Sequence, residues 1–139
     1  MNDEQAQALF AGARVARLAT VDETGHPHLV PVVFAVDGSR IFTAVDHKPK
    51  RTTALRRLAN IRANPAVSLL VDHYDDEDWS ALRWVRADGR AQVLDPTDEV
   101  ARRGIDLLTD RYPQHRERPP DGPVVVVDVD RWSAWSARP

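Results

Sequence analysis

Two β-branched runs, His28 to Val36 (HLVPVVFAV) and Arg40 to Val45 (RIFTAV), stand on either side of Asp37-Gly38. An Asp-Gly connection between such runs turns the chain straight back, so the two strands pair antiparallel. Arg14 to Val21 (RVARLATV) reads as another strand, and Asp22-Glu23-Thr24-Gly25 as the turn that follows it, with Gly25 supplying positive φ. Residues 14–45 are therefore predicted to form a three-stranded antiparallel meander. Pro31 has no N–H for a ladder bond, which puts its strand at an edge or its position at a bulge.

The remaining elements follow the same logic. Asn2 with Gln5 three residues on is a capping box, and opens a helix running to about Ala11. Leu55, Leu58 and Ile61 recur every three residues, which predicts a helix with one buried face in the basic segment 47–62, ended by Asn64-Pro65. Ala66 to Val71 is a fourth strand. Trp79 to Leu94 reads as one long strand with a bulge at Gly89, since no loop composition surrounds that glycine. Asp95-Pro96 is predicted to start a helix that runs to Asp110, with aspartate as N-cap and proline at the first helical position. A proline-rich connection, 112–123, leads to a last strand, Val124 to Val129, and a tail carrying Trp132 and Trp135.

This makes about six strands and two or three helices in one domain spanning residues 1–139. An α+β, mainly β, antiparallel barrel with helices at its ends fits better than a doubly wound parallel sheet. The chain has no cysteine, which removes disulfides, thiolate metal sites and cysteine nucleophiles. A formal net charge of -2 argues against a general nucleic-acid binder, as does the lack of aromatic residues among positions 47–62. No apolar run approaches the roughly 18 residues of a membrane helix. The acidic start Met1-Asn2-Asp3-Glu4 is unlike a secretory signal, so a cytoplasmic location is expected. No Gly-x-Ser-x-Gly elbow, Walker loop or Gly-x-Gly-x-x-Gly occurs.

Charge placement is the clearest anomaly. Between His47 and Val71 stand Lys48, Lys50, Arg51, Arg56, Arg57 and Arg62, with no acid among them. Lys48 and Lys50 are the chain's two lysines, against 17 arginines. Cations at a strand end and helix start, with Thr52 and Thr53 adding hydroxyl donors, suit an anion such as phosphate. A solvated helix face is the competing reading. The anion site is favoured because Lys48-Pro49-Lys50-Arg51 precedes the amphipathic stretch instead of decorating its middle. His26 and His28 share a face if extended, but no third ligand has a metal-site spacing, so surface histidines are favoured over a metal. His47 is the better candidate for ligand contact. Trp79 is open between ring stacking and core packing.

Taken together, Ala-Arg-Leu-Ala-Thr-Val-Asp (16–22), Gly-His-Pro-His-Leu-Val-Pro-Val (25–32), Lys-Pro-Lys-Arg (48–51), Leu-Arg-Arg-Leu-Ala-Asn-Ile (55–61), Asn-Pro-Ala-Val-Ser-Leu-Leu-Val-Asp (64–72) and Trp-Val-Arg-Ala-Asp-Gly-Arg-Ala (84–91) resemble the pyridoxamine 5′-phosphate oxidase-like flavin reductase superfamily. The likeness covers about residues 5–136, and is greatest to the small actinobacterial F420-dependent oxidoreductase branch. It implies a six-stranded split β-barrel homodimer with cofactor clefts at the interface. It implies coenzyme F420 as cofactor, with FMN as the alternative, and hydride transfer to or from a small-molecule substrate. Thr43, Ala44 and Val45 would line the cofactor ring. Lys48, Lys50, Arg51 and Arg57 would hold phosphate or tail carboxylates. Trp79 and Ser80 of a second copy would close over it. A non-catalytic carrier of F420 has the same residues.

Overall fold

The computed structural model describes residues 1–45 and 51–138, with the backbone alone described for 51–55. The elements, in chain order, are α1 (Asp3–Gly12), β1 (Ala16–Val21), β2 (Pro27–Val32), β3 (Ala35–Asp37), β4 (Arg40–Ala44), α2 (Arg51–Ala63), β5 (Ala66–His73), β6 (Arg83–Leu94), α3 (Glu99–Arg111), α4 (Pro113–Glu117) and β7 (Val124–Ser136), with one 3₁₀ turn at Trp79–Ala81. The seven strands form a single antiparallel sheet in the order β2-β1-β5-β6-β7-β4-β3.

That order dictates the shape. β2 and β3 are the two edges, yet Val33 and Phe34 are all that separates them in sequence. Two linking residues span at most about 11 Å, whereas the edges of a flat seven-stranded sheet lie roughly 29 Å apart. The sheet must curl until its edges meet at this corner. The result is a split barrel of mixed α+β class.

Side chains alternate accordingly. The inward residues Leu18, Val32, Ile41, Leu69, Val85, Ala87, Val125 and Val127 make the main core. Helix α1 adds Ala6 and Phe10, and α2 adds Leu58 and Ile61. Helix α3 packs on the other side of β4 and β7, through Ala101 against Phe42, Val124 and Val126. Among the described residues, no helix covers the outer face of β2, β1, β5 and β6. There Leu29 and Leu70 are exposed, beside Ala19 and Trp84.

Several local readings hold. Asn2 and Gln5 exchange the two capping-box bonds, at 2.8 and 3.0 Å. Gly25 and Gly38 sit at φ 87° and 60° in the two predicted turns. Pro31 lies on an edge strand. The long strand expected over Trp79 to Leu94 is a strand from Arg83 to Leu94, with Trp79–Ala81 a 3₁₀ turn instead, and its pairing with β7 shifts register between Asp88 and Gly89. A Cβ at Gly89 would lie 2.2 Å from the Asp128 carbonyl oxygen, so the bulge requires glycine there.

Others are corrected. Among the described residues, seven strands replace six, and four helices replace two or three. The run 28–36 is two strands, so the meander is broken and its pieces sit at opposite edges. The break is held by Tyr112, whose hydroxyl accepts from Phe34 N–H (3.2 Å) and lies 2.9 Å from Phe34 C=O. Helix α3 starts three residues later than expected, capped by Asp98, which accepts from the N–H groups of Val100 and Ala101. Asp95 instead closes a turn on Thr97. The connection 112–123 contains α4. The tail beyond Val129 is strand, because β6 is long enough to pair with β7 as far as Ser136. Among the described residues no helix is long and apolar enough to cross a membrane.

Candidate functional site

The corner where the barrel edges meet opens into a cavity of about 470 Å³. One wall is Pro31, Val32 and Val33, from the end of β2. A second is Thr43 and Ala44, from the end of β4. Arg57 enters from α2, while Tyr112, Gln114, His115, Glu117 and Arg118 close the side held by α3 and α4. The strand walls are fixed to each other: Thr43 Oγ1, itself buried, donates to the Val33 carbonyl at 2.8 Å. Tyr112 anchors the floor. Its ring carries the Arg14 guanidinium at 4.6 Å from the centroid and meets His115 edge-on. Arg111 donates to the carbonyls of Ala11 and Ala13, so the end of α3 is tied to the end of α1.

Arg57 is the chemically exposed point of this arrangement. Its Nε is buried and has no hydrogen-bond partner. Burial pushes its guanidinium down from the ordinary arginine value, yet arginine stays charged at any neutral pH. A buried, unpaired donor on a permanent cation is costly unless an anion meets it. A phosphate-bearing ligand would give that donor an acceptor, and the strand walls beside it, Pro31, Val32, Val33 and Ala44, are apolar.

Thr43, Ala44 and Arg57, expected to act together, do line one cavity. Val45 instead packs against the main core, and its N–H donates to the Pro123 carbonyl. Lys48 and Lys50, and with them His47, lie outside the described residues; Arg51 is the first residue of α2. Trp79 and Ser80 lie on the 3₁₀ turn before β6 and do not line the cavity of their own chain. Trp79 is 66% exposed in the single chain, so it is not part of that chain's core. The Ser80 hydroxyl donates to Asp78 and accepts from Arg138, so this turn is latched to the segment after β7. That latch, with the Ser80 hydroxyl as its main cause, holds the Asp78 carboxyl below its usual range. His26 is exposed, but His28 is half-buried with an unpartnered Nδ1, so only the first is a simple surface histidine. No group of three potential metal ligands occurs among the described residues.

Sequence reasoning did not find the Pro31–Val33 wall, Tyr112 or α4. The corner crossing brings them to the site, and nothing local marks it. The proline-rich composition of 112–123 was the one available signal.

Solved structures share this fold. A conserved hypothetical protein from Mycobacterium tuberculosis superposes with a TM-score of 0.75 at 24% identity, covering 99% of this chain and 86% of that one. An FAD-binding protein from Mesorhizobium loti gives 0.74 at 20% identity, covering 96% and 94%. A heme storage protein from Vibrio cholerae gives 0.74 at 17%, covering 96% and 93%. A Streptomyces rimosus relative, a 5a,11a-dehydrotetracycline/5a,11a-dehydrooxytetracycline reductase, is 36% identical over 87 residues. That stretch is 63% of this chain and 59% of the relative's length. The family profile described as pyridoxamine 5′-phosphate oxidase matches residues 2–136. Since that match runs from the capped first helix to the end of β7 and takes in every wall of the cavity, the chain belongs to the pyridoxamine 5′-phosphate oxidase family.

Proposed function

We propose that the protein is an oxidoreductase of the F420-dependent branch, moving a hydride between the deazaflavin and a small electron-poor substrate. Arg57 carries the reading: a half-buried cation with a buried, unpaired Nε–H, set into a cavity whose strand walls are apolar. The phosphodiester of F420, or the phosphate of FMN, gives that donor its acceptor. When bound, a deazaflavin supplies hydride transfer at its C5. The chain's part is to hold and orient the cofactor and to exclude water. Val32, Val33 and Ala44 provide the dry walls, and Thr43 keeps the two strand ends at a fixed separation. As the resemblance implies, Lys48, Lys50 and Arg51 would hold the tail carboxylates. The Streptomyces relative's name supports a reductive direction and a polycyclic, unsaturated ketone as acceptor class.

The same reading includes a homodimer. The outer face of β2, β1, β5 and β6 presents Leu29, Leu70 and Trp84, with Arg17–Asp72 and Arg86–Asp88 ion pairs among them. An uncovered face of this kind supports contact with a second copy of itself. In that dimer Trp79 and Ser80 of the second copy reach over the cofactor.

The test is a titration of purified protein with F420 and, separately, FMN, followed by tryptophan fluorescence. Micromolar binding of F420 is expected. Arg57→Leu should weaken it about tenfold or more, roughly 1.4 kcal/mol. Arg103→Leu, which removes an equal charge paired with Asp37 on the surface, should not. Preference for FMN would place the protein on the oxidase side of the family, and binding of neither would overturn the reading. Oxidation of the reduced F420 complex by 5a,11a-dehydrotetracycline separates a reductase from a carrier.

A further inference from the structure

Tyrosine apart, the buried polar side chains among the described residues are Thr20, Thr43 and Asn60. Thr43 is used in fixing the cavity wall. The other two meet each other: Asn60 Nδ2 donates to Thr20 Oγ1 at 3.1 Å, linking α2 to β1 inside the barrel. Neither residue lines the cavity.

The bond stands in a telling place. Among the described side chains of α2, the other core contacts come from Leu58 and Ile61, which are apolar. Apolar contacts fix depth well but direction poorly, and cores built from them lose uniqueness before they lose stability. Asn60 is three residues after Arg57, so the two side chains project from neighbouring points on one helix face. A directional bond at Asn60 sets the roll of α2, and the roll of α2 sets where the Arg57 guanidinium points.

We infer that the Thr20–Asn60 pair is the positioning element for Arg57, fixing the helix so that the cation enters the cavity despite its unpaired Nε. The inference rests on the reading of Arg57 as the anion-holding group. It goes further in assigning a role to two residues that touch no ligand.

A buried hydrogen-bonded pair can be replaced by an apolar pair of similar shape at little cost in stability. Thr20→Val with Asn60→Leu therefore separates positioning from packing. Three quantities are read on wild type and variants: the urea midpoint, the ¹H–¹⁵N signal of the Arg57 Nε–H (assigned by its loss in Arg57→Lys), and the affinity for F420 and FMN. The double variant is expected to keep its midpoint, to lose the buried Arg57 signal to a solvent-averaged position, and to bind cofactor about tenfold more weakly. Thr20→Ser, which keeps the hydroxyl, should restore both signal and affinity.

A folded double variant with an unchanged Arg57 signal overturns the inference. Should that variant not fold, Thr20→Ala gives the same decision: a displaced Arg57 signal supports the role, and an unmoved one refutes it. If wild-type protein binds neither cofactor, the functional reading fails, while the Arg57 signal still decides the positioning role.

Discussion

Replacing Tyr112 with phenylalanine should unfasten the barrel corner while leaving its packing intact. The ring's contacts to Arg14 and His115 survive the change. What disappears is one hydroxyl, which accepts from Phe34 N–H at 3.2 Å and lies 2.9 Å from Phe34 C=O and 3.0 Å from Arg14 C=O. Phe34 is fully buried and stands between two strands, so no ladder partner takes over. Each buried backbone group left unpaired costs about 1–3 kcal/mol. Arg14 is exposed, and water can serve its carbonyl. The two Phe34 groups together should therefore cost about 2–6 kcal/mol. At roughly 4 °C per kcal/mol for a domain of this size, the melting temperature should fall by roughly 8–24 °C. Urea unfolding with an unchanged m-value would place the loss in the folded state. A loss below about 0.5 kcal/mol, the range of an ordinary surface change, would refute the argument that Tyr112 satisfies the crossing.

Other expectations are as sharp. Gly104→Ala, nominally a gain of about 1 kcal/mol in helix preference, puts a Cβ 2.4 Å from Cδ1 of the buried Phe42 ring; thermal melts should show a net loss of about 1–3 kcal/mol. Leu70→Asp, on the uncovered outer face, should leave a folded monomer where light scattering finds a dimer for the parent. The Asp78 carboxyl, lowered chiefly by the Ser80 hydroxyl and further by the Ser80 N–H and Arg138, is favoured in its charged form by the latch. Its folded pKa lies below the unfolded one, so its contribution is complete above the unfolded value and lost as pH falls through the folded value. An acid titration of Trp79 fluorescence should show the turn releasing below the ordinary aspartate range, and Asp78→Asn should abolish that transition.

The parts of the fold legible in sequence are those decided within a few residues. The Asn2/Gln5 box, the turns at Gly25 and Gly38 and the bulge at Gly89 each have their cause beside them in the chain. The parts misread are decided at a distance. Nothing in HLVPVVFAV marks Phe34 as a break, because its bonding partner is 78 residues away. Asp95 and Asp98 are equally good caps by type, and the turn on Thr97 leaves the role to the second. Asp-Val-Asp-Arg-Trp-Ser-Ala-Trp-Ser looks too polar for a strand until the facing length of β6 is known. The site divides in the same way. Arg57, which lines the cavity, stood out in the sequence because cations without acids are a local signal. The cavity that gives Arg57 its meaning is made by β2, β4 and α4, which only the curled sheet brings together.

The position of β7 bears on how the chain reaches this state. It is the last strand in sequence, yet it lies between β6 and β4 in the sheet. Hairpins β1–β2, β3–β4 and β5–β6 can each form from neighbouring segments. The β3–β4 hairpin, however, has no strand to join the others until β7 arrives, since β4 pairs with β3 and β7. Assembly must therefore wait for contacts such as Phe42 with Val126, which close a loop of more than eighty residues. Non-local closure of this kind makes folding slow. The two halves of the barrel remain separate, with open edges, until a single late strand zips them together, and this interval is when the chain is most vulnerable to aggregation.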